Sequence, residues 1–158
     1  MRSMLLPTAL AAFAFAATAA SAENVHVNPS NSFISSAVKV PAGSEMLYVS
    51  GITPDRVTGA PADRPFGDTK TQTDSVLKRI GAILTAQGYG WEDVVMMRVL
   101  LVGDPTKGGG MDFAGMMQGY NAVYANLGKK PARITSQVAG LVLPGMMVEI
   151  EVQAAKKP

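Results

Sequence analysis

The chain has 158 residues, of which 47% are apolar and 16% charged, with a formal net charge of +2. That length and apolar share suit one packed domain, and the near balance of acids and bases excludes a basic nucleic-acid-binding stripe. Cysteine is absent, which excludes disulfides, thiol nucleophiles and thiolate metal sites together.

The first 22 residues read as a secretory leader. Arg2 gives a positive start, Met4 to Ala20 is an almost unbroken run of Leu, Ala and Phe, and Ala20-Ser21-Ala22 is a small-x-small cleavage pattern before Glu23. An uncleaved anchor fits less well, because the run is Ala-rich and short for a bilayer. The mature chain is therefore expected to begin near Glu23 and to be exported, with a bacterial periplasm as its destination. Residues 23–32 are polar and irregular and read as a mobile arm. The arm holds the only histidine, His26, which reads as a solvated side chain and not a metal ligand, because ligand sets need partners.

Residues 33–158 read as one domain. Phe33 to Val40 and Met46 to Ser50 are strand-like, and Pro41-Ala42-Gly43-Ser44 is a turn composition that predicts a hairpin between them. The Pro- and Gly-rich segment from Ile52 to Asp68 reads as a long surface loop. From Thr71 to Gln87 the period becomes helical, with Val76, Leu77, Ile80, Ile83 and Leu84 in phase, Asp68 or Thr69 as cap and Gly88 as stop. After a turn at Trp91-Glu92-Asp93, the run Val94 to Val102 is nearly all apolar and suits a central strand, with Arg98 its exception. Asp104 to Gly110 is a flexible connection and not a phosphate loop, because no Gly-Lys-Ser/Thr ending follows. Asp112 caps a second helix, Phe113 to Leu127, whose stripe of Phe113, Met116, Met117, Tyr120, Val123, Tyr124 and Leu127 reads as core.

Two further segments alternate with period two. In Lys130 to Ala139, Ile134 and Val138 point one way and Arg133, Thr135 and Gln137 the other. In Val148 to Val152, the valines and Ile150 point inward and Glu149 and Glu151 outward. A turn around Pro144-Gly145 would pair them as a hairpin, placing a guanidinium, a hydroxyl, an amide and carboxylates on one face as an acid/base and anion-binding surface. The element order predicts an α+β fold with two helices on one face of a mixed sheet, the other face being covered by further subunits.

Several strings, taken in order, resemble the Rid family, also called YjgF or endoribonuclease L-PSP. They are Leu47-Tyr48-Val49-Ser50-Gly51-Ile52-Thr53-Pro54, Thr71-Gln72-Thr73 with Leu77 and Ile80, Trp91-Glu92-Asp93-Val94-Val95, Asp112-Phe113, Pro131-Ala132-Arg133 and Val148-Glu149-Ile150-Glu151. The resemblance spans the mature chain. It implies a chorismate-mutase-like fold and a homotrimer whose sheets form a central barrel, with a ligand cleft at each subunit interface. It also implies hydrolysis of enamines and imines such as 2-aminoacrylate to 2-oxo acids and ammonia, without cofactor or metal.

By resemblance, Arg133 falls on the arginine that grips the substrate carboxylate, a role its planar guanidinium suits. Glu149 falls on the glutamate that positions or activates water, and Ser50 and Gly51 line the cleft. The chain departs from the family pattern with Ile34 in place of a Tyr, Thr135 in place of a Cys, Gln137 in place of a Glu, and Met117 near a usual Asn. Thr135 still offers a backbone carbonyl for water, and Gln137 stays a candidate substrate contact. Plainer readings remain for each: an ion pair of Arg133 with Glu149 or Glu151, a solvated Glu149, and a Ser50 that is a cleft residue and not a nucleophile. The alternative function is a non-catalytic trimer that binds small carboxylates or acts like a chaperone. An endoribonuclease ranks below both, since the sequence holds neither a His pair nor a basic aromatic groove.

Overall fold

The structure, a computed structural model, describes residues 23–28 and 32–157. The leader read over residues 1–22 lies outside them. Among the described residues, no helix is long and apolar enough to cross a membrane.

Ten elements follow in order: β1 (Val25–Val27), β2 (Ala37–Lys39), β3 (Glu45–Ile52), α1 (Thr69–Ala86), a 3-10 turn (Trp91–Asp93), β4 (Val94–Val102), a second 3-10 turn (Pro105–Lys107), α2 (Phe113–Tyr124), β5 (Ala132–Val138) and β6 (Val148–Lys156). Helix α1 starts where the Asp68 carboxylate accepts from the Thr71 amide at 2.8 Å, and Gly88 follows its end at φ 75°. Its face of Val76, Leu77, Ile80 and Leu84 is buried. In the same way Asp112 caps α2, accepting from the Gly115 amide at 3.0 Å. The two helices touch along Gly119, where an added Cβ would stand 2.7 Å from Thr73 Cγ2, so only glycine permits this approach.

The main sheet has the order β3-β6-β4-β5. β3 and β4 each run antiparallel to β6, while β4 and β5 are parallel, with α2 as the crossover between them. The fold is the expected α+β arrangement, two helices on one face of a mixed sheet. Met97, Val99 and Leu101 of β4 and Val148, Ile150, Val152 and Ala154 of β6 form the helix-side core, all of them buried. On the opposite face Arg98 pairs with Glu151 at 3.0 Å; both are well exposed, so the pair contributes little. Tyr48 and Ile134 are also open there, at 70% and 48% exposure.

Four expectations need correction. β5 and β6 do not form a hairpin: β4 stands between them, because its apolar side chains are best buried with a strand on either side. The segment Phe33 to Val40 does not pair with β3 either. Ser32 Oγ bonds the backbone of Ile34 and breaks the strand there, and the surviving β2 pairs with β1 in a separate small sheet. The segment read as an irregular arm therefore contains a strand, and His26 is not freely solvated. Its Nδ1 lies 2.7 Å from the Lys130 carbonyl.

The buried amide of Gln72 ties α1 to the entry of β6. Its Nε2 donates to the carbonyls of Gly67 (3.1 Å) and Gly145 (3.0 Å), and its Oε1 accepts from the Met147 amide at 2.7 Å. Gln72→Leu leaves those three backbone groups without partners and is expected to cost about 2–4 kcal/mol in a urea unfolding titration. Asp104 generates a second prediction. Burial alone would raise its pKa, but hydrogen bonds from the Thr106 hydroxyl and amide and the Arg64 guanidinium at 3.1 Å outweigh it and hold the carboxyl below its ordinary value. A depressed carboxyl contributes stability above its unfolded value of about 3.9 and loses it as pH falls through the folded value. Asp104→Asn should therefore flatten the fall in urea midpoint between neutral pH and pH 3.

Candidate functional site

β5 is an outer strand of the sheet. Beyond β4, only a single bridge from Ser35 to Ala132 covers its free side among the described residues. Parallel register aligns Arg133 with Met97, Thr135 with Val99 and Gln137 with Leu101. These three side chains therefore point toward the helices, and Ile134, Ser136 and Val138 point away.

Arg133 reaches one face of α2. Its guanidinium carbon lies 4.3 Å from the ring centre of Tyr120 and 5.8 Å from that of Phe113, and Nη2 donates to Met117 Sδ at 3.2 Å. Phe113, Met117 and Tyr120 stand at positions i, i+4 and i+7, so they share one helix face. Tyr120 is fixed by donating its hydroxyl to the Phe33 carbonyl at 2.9 Å and by stacking on Tyr124 at 4.6 Å. Burial pushes the Tyr120 hydroxyl up to about 12, against the pull of the Arg133 charge, so the ring is neutral at physiological pH. Burial likewise lowers Arg133 from its ordinary value, with Tyr120 acting the other way, yet a guanidinium stays charged.

The cation has no counter-charge. Among the described residues no carboxylate lies in ion-pair distance of Arg133, and its Nη1 is buried without a hydrogen-bond partner. A thioether is a weak acceptor and an aromatic face a modest one. The site therefore holds a half-buried positive charge with one N–H group unused among the described residues.

The remaining candidates are dispersed. Thr135 follows Arg133 on the same face, and its hydroxyl is buried without a partner. Gln137 continues the row, and its Nε2 donates to the Gly109 carbonyl at 3.2 Å while its Oε1 accepts from the Met111 amide at 3.0 Å. It secures the loop leading into α2 and keeps a second N–H and a second lone pair on its exposed amide. Glu149 is aligned with Leu100 and points to the opposite face of the sheet. Its carboxylate covers Gly51, where an added Cβ would overlap Glu149 Oε1, so Gly51 and Glu149 are neighbours, with the exposed Ser50 beside them. The expected single face carrying both Arg133 and Glu149 does not form within one chain, and an ion pair between the two is excluded there. Glu151 is engaged with Arg98.

Phe113 and Tyr120 are the site residues that the sequence reading missed, because an apolar stripe on a helix reads as core; Met117 it singled out only as a departure from the family pattern. Phe113 is 44% exposed and Met117 is only partly buried. The usable signal lay in Arg133 itself: a charged residue on the helix-side face of a strand needs a helix surface that can hold it.

The endoribonuclease L-PSP family model matches residues 24–156. A RutC family protein of Pyrococcus horikoshii is 37% identical over 112 residues, covering 70% of this chain and 79% of that protein. Another RutC family protein, from Saccharolobus solfataricus, is 35% identical over 113 residues, covering 71% and 80%. Among solved structures, a Rid family protein of unknown function from Yersinia pestis superposes with a TM-score of 0.66 at 25% identity, covering 84% of this chain and 98% of that one. A putative endoribonuclease from Thermotoga maritima gives 0.56 at 30% identity, covering 78% and 87%. With the match spanning the strands, both helices and the Arg133 and Glu149 segments, the chain belongs to the endoribonuclease L-PSP family, known also as the Rid or YjgF family.

Proposed function

We propose that the protein hydrolyses 2-imino and enamine acids to 2-oxo acids and ammonia, without a cofactor, in clefts between the subunits of a homotrimer. The observation that carries this reading is the half-buried guanidinium of Arg133 on an outer strand, whose Nη1 is buried with no hydrogen-bond partner among the described residues. Retaining a desolvated cation without a counter-charge costs stability, and a carboxylate ligand offsets that cost when it binds.

In this reading the substrate carboxylate takes the free Nη1 and competes with the weak Met117 contact at Nη2, which fixes the imine carbon near β5. Glu149 is on the far face of its own sheet, so the carboxylate that activates water comes from a second copy docked on the open edge and face. Glu149 of that copy accepts a proton from water as the oxygen attacks the carbon of the protonated imine, giving a carbinolamine. Glu149 then passes that proton to nitrogen and takes the hydroxyl proton as the C–N bond breaks, leaving the 2-oxo acid and releasing ammonia. An enamine first takes a proton on carbon to become the imine. The leader read over residues 1–22 puts this chemistry outside the cytoplasm, where an exported amine- or amino-acid-oxidising reaction would supply the imine.

The loop contacts of Gln137 and the sulfur on Nη2 favour a second reading, a non-catalytic binder of small carboxylates in the same cleft. Turnover separates the two. With imines generated in situ by an amino-acid oxidase, the mature protein should accelerate release of ammonia and 2-oxo acid. Arg133→Ala should lower kcat/KM about 100-fold and Arg133→Lys about tenfold, since lysine keeps the charge but not the planar donor pair. Carboxylate binding without acceleration of any imine would establish the binder instead.

A further inference from the structure

A cavity beyond the C-terminal end of β4 is separate from the Arg133 site. It measures about 410 Å³ and lies between the 61–67 turn, the segment after β4 and the entry to β6. Val102, which lines it, stands five positions beyond Met97, the register partner of Arg133, roughly 17 Å further along the strand. Its walls are fixed in advance. Gln72 holds the Gly67 and Gly145 carbonyls on two sides. On a third side the Asp104 carboxylate accepts from Thr106 and from Arg64 Nη2. A site whose walls are already tied in place needs little reorganisation when a ligand enters.

The lining combines apolar surface with accessible charge of both signs. Val102, Pro105, Met146 and Met147 supply the apolar part, and methionine adapts its shape to what it touches. The charged part is nearer solvent. Asp63 is exposed and the Arg64 side chain is 35% exposed, whereas Met146 and Met147 are buried. Asp104 takes a single N–H of Arg64, at 3.1 Å, and among the described residues that is the one side-chain hydrogen bond Arg64 makes. The rest of its donor fork is available. Asp63 makes no ion pair among the described residues. A dianion would be repelled by Asp63 and Asp104, and a lone amine by Arg64. The volume is near the lower end for small-molecule sites, which suits a ligand of amino-acid size.

We propose that this cavity binds the zwitterion of an apolar α-amino acid, with its carboxylate on Arg64, its ammonium on Asp63 and its side chain against Val102, Met146 and Met147. The carboxylate takes the guanidinium donors that Asp104 leaves unused, a charge-assisted contact that fixes the ligand's orientation. Asp104 acts as a positioning residue, holding Arg64 over the cavity without touching the ligand. The contact with Asp63 is open to water and contributes the smaller share. The two charges of an α-amino acid are held one carbon apart, and the two residues assigned to them are consecutive in the chain and border the same cavity. The assignment is independent of the role proposed for Arg133.

The test titrates the mature protein with L-leucine, with 4-methylpentanoate, which lacks the ammonium, and with 3-methylbutylamine, which lacks the carboxylate. Isothermal titration calorimetry reads affinity, and NMR of methyl-labelled methionines reads location. Leucine should shift the Met146 and Met147 methyl signals. 4-Methylpentanoate should bind about threefold more weakly than leucine and 3-methylbutylamine at least about tenfold more weakly. Asp63→Asn should weaken leucine about threefold and leave 4-methylpentanoate unchanged or tighter. Arg64→Lys, which keeps a charge for Asp104 but loses the planar donor pair, should weaken both about tenfold. Arg133→Ala should leave leucine affinity and the methionine shifts unchanged. Absence of leucine binding, or leucine binding that disappears in Arg133→Ala, overturns the site. Equal wild-type affinity for leucine and 4-methylpentanoate, or full leucine affinity in Asp63→Asn, overturns the zwitterion. Thermal melts accompany both variants, and Asp63→Asn, an exposed substitution, decides the matter if Arg64→Lys melts early.

Discussion

Strand β4 is the constraint on which the rest of the structure depends. Its run from Val94 to Val102 carries one charged side chain, Arg98, and such a strand is unfavourable at a sheet edge. It takes the interior position, with β6 antiparallel on one side and β5 parallel on the other. A parallel neighbour needs a crossover, and α2 supplies it. That single placement sends β5 to the edge, lays α2 over it, and separates Arg133 from Glu149 by the thickness of the sheet.

The site follows from this geometry. A charged residue on the covered face of an edge strand has to be accommodated by the helix above it, and α2 offers an aromatic face, a second ring and a polarisable sulfur in place of a carboxylate. The cation is held in position and, among the described residues, left without a counter-charge. On the other face Glu149 lies over Gly51, a position that tolerates no side chain. Each half is packed within the chain, and neither holds the full set of groups that imine hydrolysis requires. Chemistry that needs both therefore needs two copies, which agrees with the open outer face bearing Tyr48 and Ile134.

Much of the fold was legible in the sequence, because the periodicity and punctuation of α1, β4, β5 and β6 were strong. Asp68 and Gly88 bounded α1, Asp112 opened α2, and the ends of β4 agree with the structure. Pairing was less legible. The alternation in β5 and β6 gave each strand its two faces but could not tell which strand lies beside which, and the nine residues between them allowed a hairpin that β4 pre-empts. The consequence reached the site. Arg133, Thr135 and Gln137 do share a face, while Glu149 does not join them. The short strand β1 escaped notice because its three residues pair only with a segment that Ser32 had already cut short.

The central claim, that a working site combines Arg133 of one copy with Glu149 of another, is tested most directly by mixing two inactive variants. Arg133→Ala and Glu149→Gln proteins would be co-refolded in equal amounts and assayed for imine hydrolysis beside each variant alone. Random assembly into trimers should restore about a quarter of wild-type activity, since one shared cleft in four then receives both intact residues. Activity in the mixture no greater than that of the separate variants, from correctly assembled protein, would contradict the account.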